Sequence, residues 1–325
     1  MVSRESFSPA LPLVSVVIPA FNASTTIGAT LDSILNQTGV AFEIIVVDDG
    51  SSDATATIVR EHAPNAVVIA QPNRGRGAAR NAGVARARGS YIYFFDADDL
   101  MEPRAISRLA NWLDTHPDCD VAFGDTLVFC GNPESATLRE PRCEDSGTLL
   151  GRHLTNPFMT MITSMFRRPL YDAVGGMSEE LRSNEDWHFW LKLSVCGARF
   201  EPIGGPPLSR YRTYAHNRGS NLVHPLSAVV ALQLLSRDYG RKISKVVNID
   251  GHIAKARADY ARALLREGLC RKAWHEWIAS LVYTRQHFVA NAFVFATSLV
   301  VPGRTAERLL AALGRTKRKC LGKRT

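Results

Sequence analysis

Two rhythms of apolar residues alternate along the first third of the chain. Leu13–Ile18 (LVSVVI) is a continuous run rich in β-branched residues, the pattern of a strand buried on both faces. From Thr25 to Gln37 the period changes: Ile27, Leu31, Ile34 and Leu35 fall at helical spacing behind Ser24 as an N-cap. The alternation then repeats, with a strand at Phe42–Val47 (FEIIVV), a polar turn at Asp48–Asp53 and a helix ending near His62. A strand at Ala66–Ala70, an Ala- and Arg-rich helix at Arg76–Arg88 and a strand at Tyr91–Phe95 (YIYFF) follow. The last strand runs into Asp96-Ala97-Asp98-Asp99, after which Pro103 opens another helix. Strands separated by helices predict right-handed crossovers and an α/β fold with a mostly parallel sheet. Ligands of such sheets sit at the carboxyl ends of the strands. The polar clusters Pro19–Asn22, Asp48–Asp53 and Asp96–Asp99 all fall there, so they are predicted to converge on one edge.

Later segments are less regular. Residues 131–165 carry Pro, Gly and Glu in a pattern that predicts loops, and Arg168–Val174 reads as a short helix stopped by Gly175-Gly176. Asn184-Glu185-Asp186-Trp187 opens a helix reaching about Val195, with Trp187, Trp190 and Leu191 on one face. Beyond Pro225 the pattern turns helical: Ala254, Ala258, Ala261 and Leu265 mark one helix, Gly268 breaks it, and Cys270–Arg285 forms another. The chain therefore divides into an α/β domain over 13–222 and a helical C-terminal region over 223–325.

Charge sharpens that division. The 325 residues are 46% hydrophobic and 22% charged, an ordinary folded composition, with a net charge of +8. Almost all of the excess lies in 303–325, where Arg304, Arg308, Arg315, Lys317, Arg318, Lys319, Lys323 and Arg324 face one acid, Glu307. A nearly neutral body argues against nucleic-acid binding across its face. The basic tail, with Phe288, Phe293, Phe295, Leu299 and Val300 before it, instead suits peripheral contact with an anionic membrane. The apolar stretch Phe288–Val301 is shorter than the roughly 18–20 residues needed to span a bilayer. Six cysteines without a CxxC pair suit buried thiols in a reducing compartment, and no export signal is read at the start, so a cytoplasmic location is expected.

Each acidic cluster admits a plain and a chemical reading. Asp96 and Asp98, two residues apart at a strand end, can face a shared hard cation whose other oxygens come from a phosphate; alternatively Asp98 or Asp99 caps the next helix. Asp48–Asp53 is a turn, or presents a carboxylate to a nucleobase N–H. Glu185-Asp186 complements a helix dipole, or supplies a general base. Arg80 lies on a solvated helix face or points toward the acidic site, and His216 is a lone histidine that could bind a cation or phosphate. Gly75-Arg76-Gly77-Ala78-Ala79-Arg80 lacks the third glycine of a dinucleotide fingerprint and follows the third strand, so that reading fails.

Together, VSVVIPAFN (Val14–Asn22), EIIVVDDGSSD (Glu43–Asp53), NRGRGAARNAG (Asn73–Gly83), GSYIYFFDADD (Gly89–Asp99) and NEDWHFWLKL (Asn184–Leu193) resemble the inverting family 2 glycosyltransferases with a GT-A fold, in order and spacing, over about residues 13–220. The resemblance implies that Pro19, Ala20, Phe21, Asn22, Asp49, Arg80 and Asp96 bind the nucleotide sugar, with UDP the commonest nucleotide. It further implies that Asp98 and His216 hold a divalent cation (Mg²⁺ or Mn²⁺), and that Asp186 is the base. Processive relatives carry QxxRW and membrane spans. No glutamine here is followed by RW at that spacing, which implies a non-processive enzyme acting on a glycan or lipid-linked acceptor in surface polysaccharide or glycolipid assembly. The alternatives are a sugar nucleotidyltransferase, whose Gly-rich signature is missing where Pro19-Ala20-Phe21-Asn22 stands, and a glycan-binding protein with a decayed site, which the intact Asp49, Asp98 and Asp186 oppose.

Overall fold

A computed structural model describes residues 13–139, 149–155, 160–214 and 222–283. The apolar runs form the expected strands and helices: β1 (Val14–Ala20), α1 (Ile27–Leu35), β2 (Phe42–Asp48), α2 (Thr55–His62), β3 (Val67–Ala70), α3 (Arg76–Arg86), β4 (Tyr91–Phe94), β5 (Leu100–Met101) and α4 (Ala105–Thr115). There follow β6 (Val121–Phe123), β7 (Thr126–Cys130), β8 (Thr137–Arg139), α5 (Leu149–Thr155), β9 (Ser164–Arg167), α6 (Arg168–Ala173), α7 (Glu185–Val195), β10 (Phe200–Pro202) and β11 (Ser209–Thr213). Three helices close the described chain: α8 (Val223–Ile243), α9 (Ile249–Arg266) and α10 (Cys270–Tyr283).

The main sheet has the order β10-β6-β9-β4-β1-β2-β3. β1 pairs in parallel with β2 on one side (Val14 opposite Phe42) and with β4 on the other (Val14 opposite Tyr91). The chain runs outward through β2 and β3 and then crosses back to β4, so a topological switch point opens between the carboxyl ends of β1 and β4. β9 inserts antiparallel between β4 and β6. A second sheet, β5-β11-β7-β8, stands beside this edge, with β11 parallel to β7 and antiparallel to β5.

Side chains of β1 alternate between two cores, as a strand requires. Val14, Val16 and Ile18 join Ile27, Leu31, Tyr93 and Leu109 on one face. Val17, Ile45 and Val47 join Ala79, Phe94, Phe166, Phe189 and Trp190 on the other. Burial of one such large side chain contributes roughly 1.5–3 kcal/mol. α3 reaches the sheet at backbone distance because Gly83 offers no side chain: a Cβ there would lie 2.3 Å from Val17 Cγ1.

The structure corrects several expectations. Residues 131–165 are not all loop, since β8, α5 and the start of β9 fall among them. Ser24 does not cap α1; its N–H donates to Asp53 Oδ2 at 3.0 Å, and α1 begins at Ile27 without a side-chain cap. Neither Asp98 nor Asp99 caps α4, which follows Arg104 in a left-handed conformation. Of the described cysteines only Cys119 is buried; Cys130, Cys196 and Cys270 are exposed, and all four are unpaired. His216, Cys143, Cys320, the Phe288–Val301 stretch and the basic tail lie outside the described residues. Among the described residues no helix is long and apolar enough to cross a membrane.

Two compact units emerge. Among the described residues, the first comprises those up to Tyr214 with Leu234–Val247, so part of the helical region expected from 223 onward groups with the α/β unit. The second comprises the described residues 222–233 and 248–283. Within it α9 and α10 meet over Ala261, Leu264, Ala273 and Trp277, and Gly268 (φ +73°) makes the turn between them. An Arg257–Glu276 ion pair at 2.5 Å joins the same two helices.

Candidate active site

The loops after β1 and β2 are laced together. Asn22 adopts a left-handed conformation (φ 49°), its N–H donates to Ser51 Oγ at 2.9 Å, and its side-chain oxygen accepts from the Ser52 N–H at 2.9 Å. Asp53 accepts from the N–H groups of Ser24 and Thr55, both at 3.0 Å. Gly50 (φ +81°) is required between them, because a Cβ there would lie 2.9 Å from the Asn73 nitrogen.

Asp49 stands just past the end of β2, buried, with its carboxylate held from three directions. Oδ1 accepts from Gln71 Nε2 at 2.7 Å and from the Arg74 N–H at 2.9 Å, and Oδ2 accepts from the Gly75 N–H at 2.8 Å. One acceptor position of Oδ2 is left for a ligand. At the end of β4, Asp98 Oδ2 accepts from the Tyr214 hydroxyl at 3.1 Å. Its backbone oxygen accepts from Arg212 Nε at 2.8 Å, and Asp99 Oδ1 accepts from the Arg212 N–H at 2.7 Å. Burial and the nearby Asp96 charge raise Asp98 above the ordinary aspartate pKa, and burial with Asp96 and Asp98 raises Asp99 well above it.

These groups meet. A cavity of about 410 Å³ is lined by Pro19, Ala20, Phe21, Asn22, Asp49, Asp96 and Asp98 from the three strand ends, by Arg76 and Ala79 of α3, and by Tyr211, Arg212 and Tyr214 of the second sheet. The predicted convergence of the three polar clusters therefore holds. Phe21 is 51% exposed at the rim.

Two residues named from the sequence do not line this cavity. Arg80 is 1% exposed; Nη2 donates to Asp96 Oδ1 at 2.7 Å and Nη1 to Glu185 Oε1 at 2.9 Å. Asp186 occupies the first turn of α7, half-buried, with Oδ1 accepting from the Trp187 N–H at 2.7 Å. It belongs to the same charge cluster: burial and Glu185 raise its pKa, while Arg76 and Arg80 pull it down. Arg76, one helical turn before Arg80, was not singled out by the sequence and faces the cavity, with Nε 3.1 Å from Glu185 Oε1. Its signal was the i, i+4 spacing of two arginines on a helix that starts beside an acidic site.

The donor set fits a hard divalent cation. Asp96 and Asp98 offer oxygen alone, Asp98 is held by a single side-chain donor, and Asp99 Oδ2 is buried without a hydrogen-bond partner. Among the described residues no three His, Cys, Asp or Glu side chains form a complete cage, so a bound phosphate would have to supply further oxygens.

Comparison with known proteins bears on the family and the fold. The family model "Glycosyl transferase family 2" matches residues 15–175. A PGL/p-HBAD biosynthesis glycosyltransferase of Mycobacterium tuberculosis is 31% identical over 189 residues, which are 56% of this chain and 70% of that protein. The chondroitin synthase of Escherichia coli is 33% identical over 193 residues, 58% of this chain but 27% of that longer protein. Staphylococcus aureus TarS 1-349 in complex with UDP-GlcNAc superposes with a TM-score of 0.59 at 18% identity, covering 82% of this chain and 88% of its own. At that identity the likeness speaks for the fold.

Proposed function

The chain belongs to glycosyltransferase family 2, and from that premise we propose that it moves a sugar from a nucleoside diphosphate to an acceptor hydroxyl in one inverting, non-processive displacement. The observation that carries this reading is the meeting of Asp49, Asp96, Asp98 and Arg76 on one cavity, with Asp186 tied to it through Glu185. Family membership also sets aside the nucleotidyltransferase alternative.

The single open acceptor position on Asp49 favours a base edge with one N–H between carbonyls, as in uracil. Guanine presents two adjacent donors and would leave one unmet. A UDP-sugar is therefore the donor this pocket suits, with Pro19–Asn22 beside the base and Asp96 at the ribose. Asp98, with His216 from outside the described residues, would hold Mg²⁺ or Mn²⁺, which when bound supplies neutralisation of the departing diphosphate.

Asp186 accepts the proton of the acceptor hydroxyl as that oxygen bonds to the anomeric carbon. The bond from that carbon to the diphosphate oxygen breaks, and its electron pair leaves with the nucleotide. Attack from the side opposite the leaving group inverts the configuration. Burial beside Glu185 suits Asp186 to this task, because a base with a raised pKa binds the proton more strongly. The acceptor is a glycan or lipid-linked hydroxyl.

A panel of nucleotide sugars, scored for nucleotide release with Mg²⁺ or Mn²⁺ and again after chelation, tests the reading. Release from one donor, lost on chelation and lowered at least about a hundredfold in Asp98→Ala, is expected. Release of inorganic pyrophosphate, or none from any donor, would sink it.

A further inference from the structure

Arg80 is off the cavity wall, yet it touches both halves of the proposed chemistry. It bridges Asp96 at the end of β4 and Glu185 at the start of α7, and both Arg80 and Glu185 are 1% exposed. Its guanidinium carbon lies 5.6 Å from the centre of the Phe94 ring, and its Nε is buried without a hydrogen-bond partner. A buried ion pair is a poor source of stability, because desolvation offsets the attraction; its best-attested use is to fix register.

We propose that Arg80 is a positioning residue of the transfer reaction: a buried bridge that sets the donor carboxylate Asp96 and the base Asp186 at a fixed separation, with Glu185 as its second abutment. This rests on the reading of Asp186 as base.

The backbone around the bridge is arranged for it. The segment before α7 carries Gly175 (φ 69°), Gly176 (φ 66°) and Asn184 (φ 59°), so its path depends on left-handed residues. α3 packs against that segment at backbone distance: a Cβ on Gly77 would lie 2.6 Å from the Ser178 carbonyl oxygen and 3.7 Å from Glu185 Cβ. Arg80, three residues on, then spans from helix to strand end. The two η nitrogens of a planar fork reach two carboxylates at once, which a lysine ammonium on its single stem cannot do with the same geometry. Arg80 is 1% exposed and does not reach the cavity wall, so Arg76 holds the cavity side instead.

The test uses the full chain as wild type, Arg80→Lys, Arg80→Gln and Glu185→Gln. UDP affinity is measured by calorimetry, and kcat is followed against pH. Both Arg80 variants are expected to lose at least about a hundredfold in kcat, the size of a small misplacement of reacting groups, with UDP affinity, which depends on Asp96 alone of the two groups set, falling by about tenfold or less. The charged groups facing Asp186 are Glu185, Arg76 and Arg80. The acid limb of kcat should therefore move up in Arg80→Gln, where a positive charge is withdrawn, and down in Glu185→Gln, where a negative one is. A merely structural role would lower kcat without moving the limb. Limbs that stay in place, or a loss confined to UDP affinity, overturn the proposal. Should Arg80→Gln fail to fold by circular dichroism, Arg80→Lys and the downward limb of Glu185→Gln carry the test. Absence of wild-type turnover would instead strike the reading of the site, whereas variants running near the wild-type rate strike this proposal alone.

Discussion

The two walls of the cleft are built on different terms. On the donor wall the polar groups are held at several points each: Asp49 by two backbone N–H groups and Gln71, Asn22 by Ser51 and Ser52 of the loop opposite. The wall formed by β11 is held by strand register and by Arg212, and it ends at Tyr214, 42% exposed, joined to Asp98 by one hydrogen bond. Groups locked before the ligand arrives need no ordering when it binds, so affinity concentrates on the first wall. The second wall is adjustable, and so suits the partner that varies.

Substitutions can break this contrast. The largest loss is expected off both walls. Asp186→Asn should lower turnover about 10²–10⁴-fold while UDP affinity stays within about threefold. A parallel loss of UDP affinity would make Asp186 a donor-wall group. As the proposed base, Asp186 would work only when deprotonated, and its pKa is raised, so turnover should fall with decreasing pH through a value above the ordinary aspartate one. Next comes Asp49→Asn, which turns an amide N–H toward donors already aimed at a carboxylate. Losing one hydrogen bond to a charged group costs about 1.5–3 kcal/mol, so calorimetry should find UDP bound about 10- to 150-fold more weakly, with kcat at saturation little changed. The smallest effect belongs to Tyr214→Phe: one exposed hydrogen bond, about 0.5–1.5 kcal/mol, hence a donor KM raised by about tenfold or less. If steady-state kinetics gave Tyr214→Phe as large a penalty as Asp49→Asn, the contrast between the walls would be gone.

The same division separates what the sequence reveals from what it hides. β1, β2 and β4 are buried on both faces and so read as unbroken apolar runs, and the polar residues that end them mark the donor wall directly. β6 and β10 are three residues long and β9 is four, too short to display a period, and β9 is antiparallel within a sheet whose other described neighbours mostly run parallel. Glu185 reads locally as a residue that complements a helix dipole. Its buried partner is Arg80, 105 positions away, and nothing in the local pattern announces such a partner. Arg76 is hidden for a related reason: on an isolated helix it is a solvated arginine, and only the approach of α7 makes it part of the charge cluster.

The small sheet has a consequence for how the protein comes into being. Strand β11 is seated between β5 and β7, opposing Leu100 and Met101 on one side and the whole of Thr126–Cys130 on the other. A ribosome delivers residues in order, and β1 through β4 can zip together while Ser209 is still far from the exit tunnel. A nascent chain therefore holds β5 and β7 without their shared neighbour until β11 has emerged. Any polypeptide cut before Thr213 lacks part of that neighbour, however well its first four strands have set.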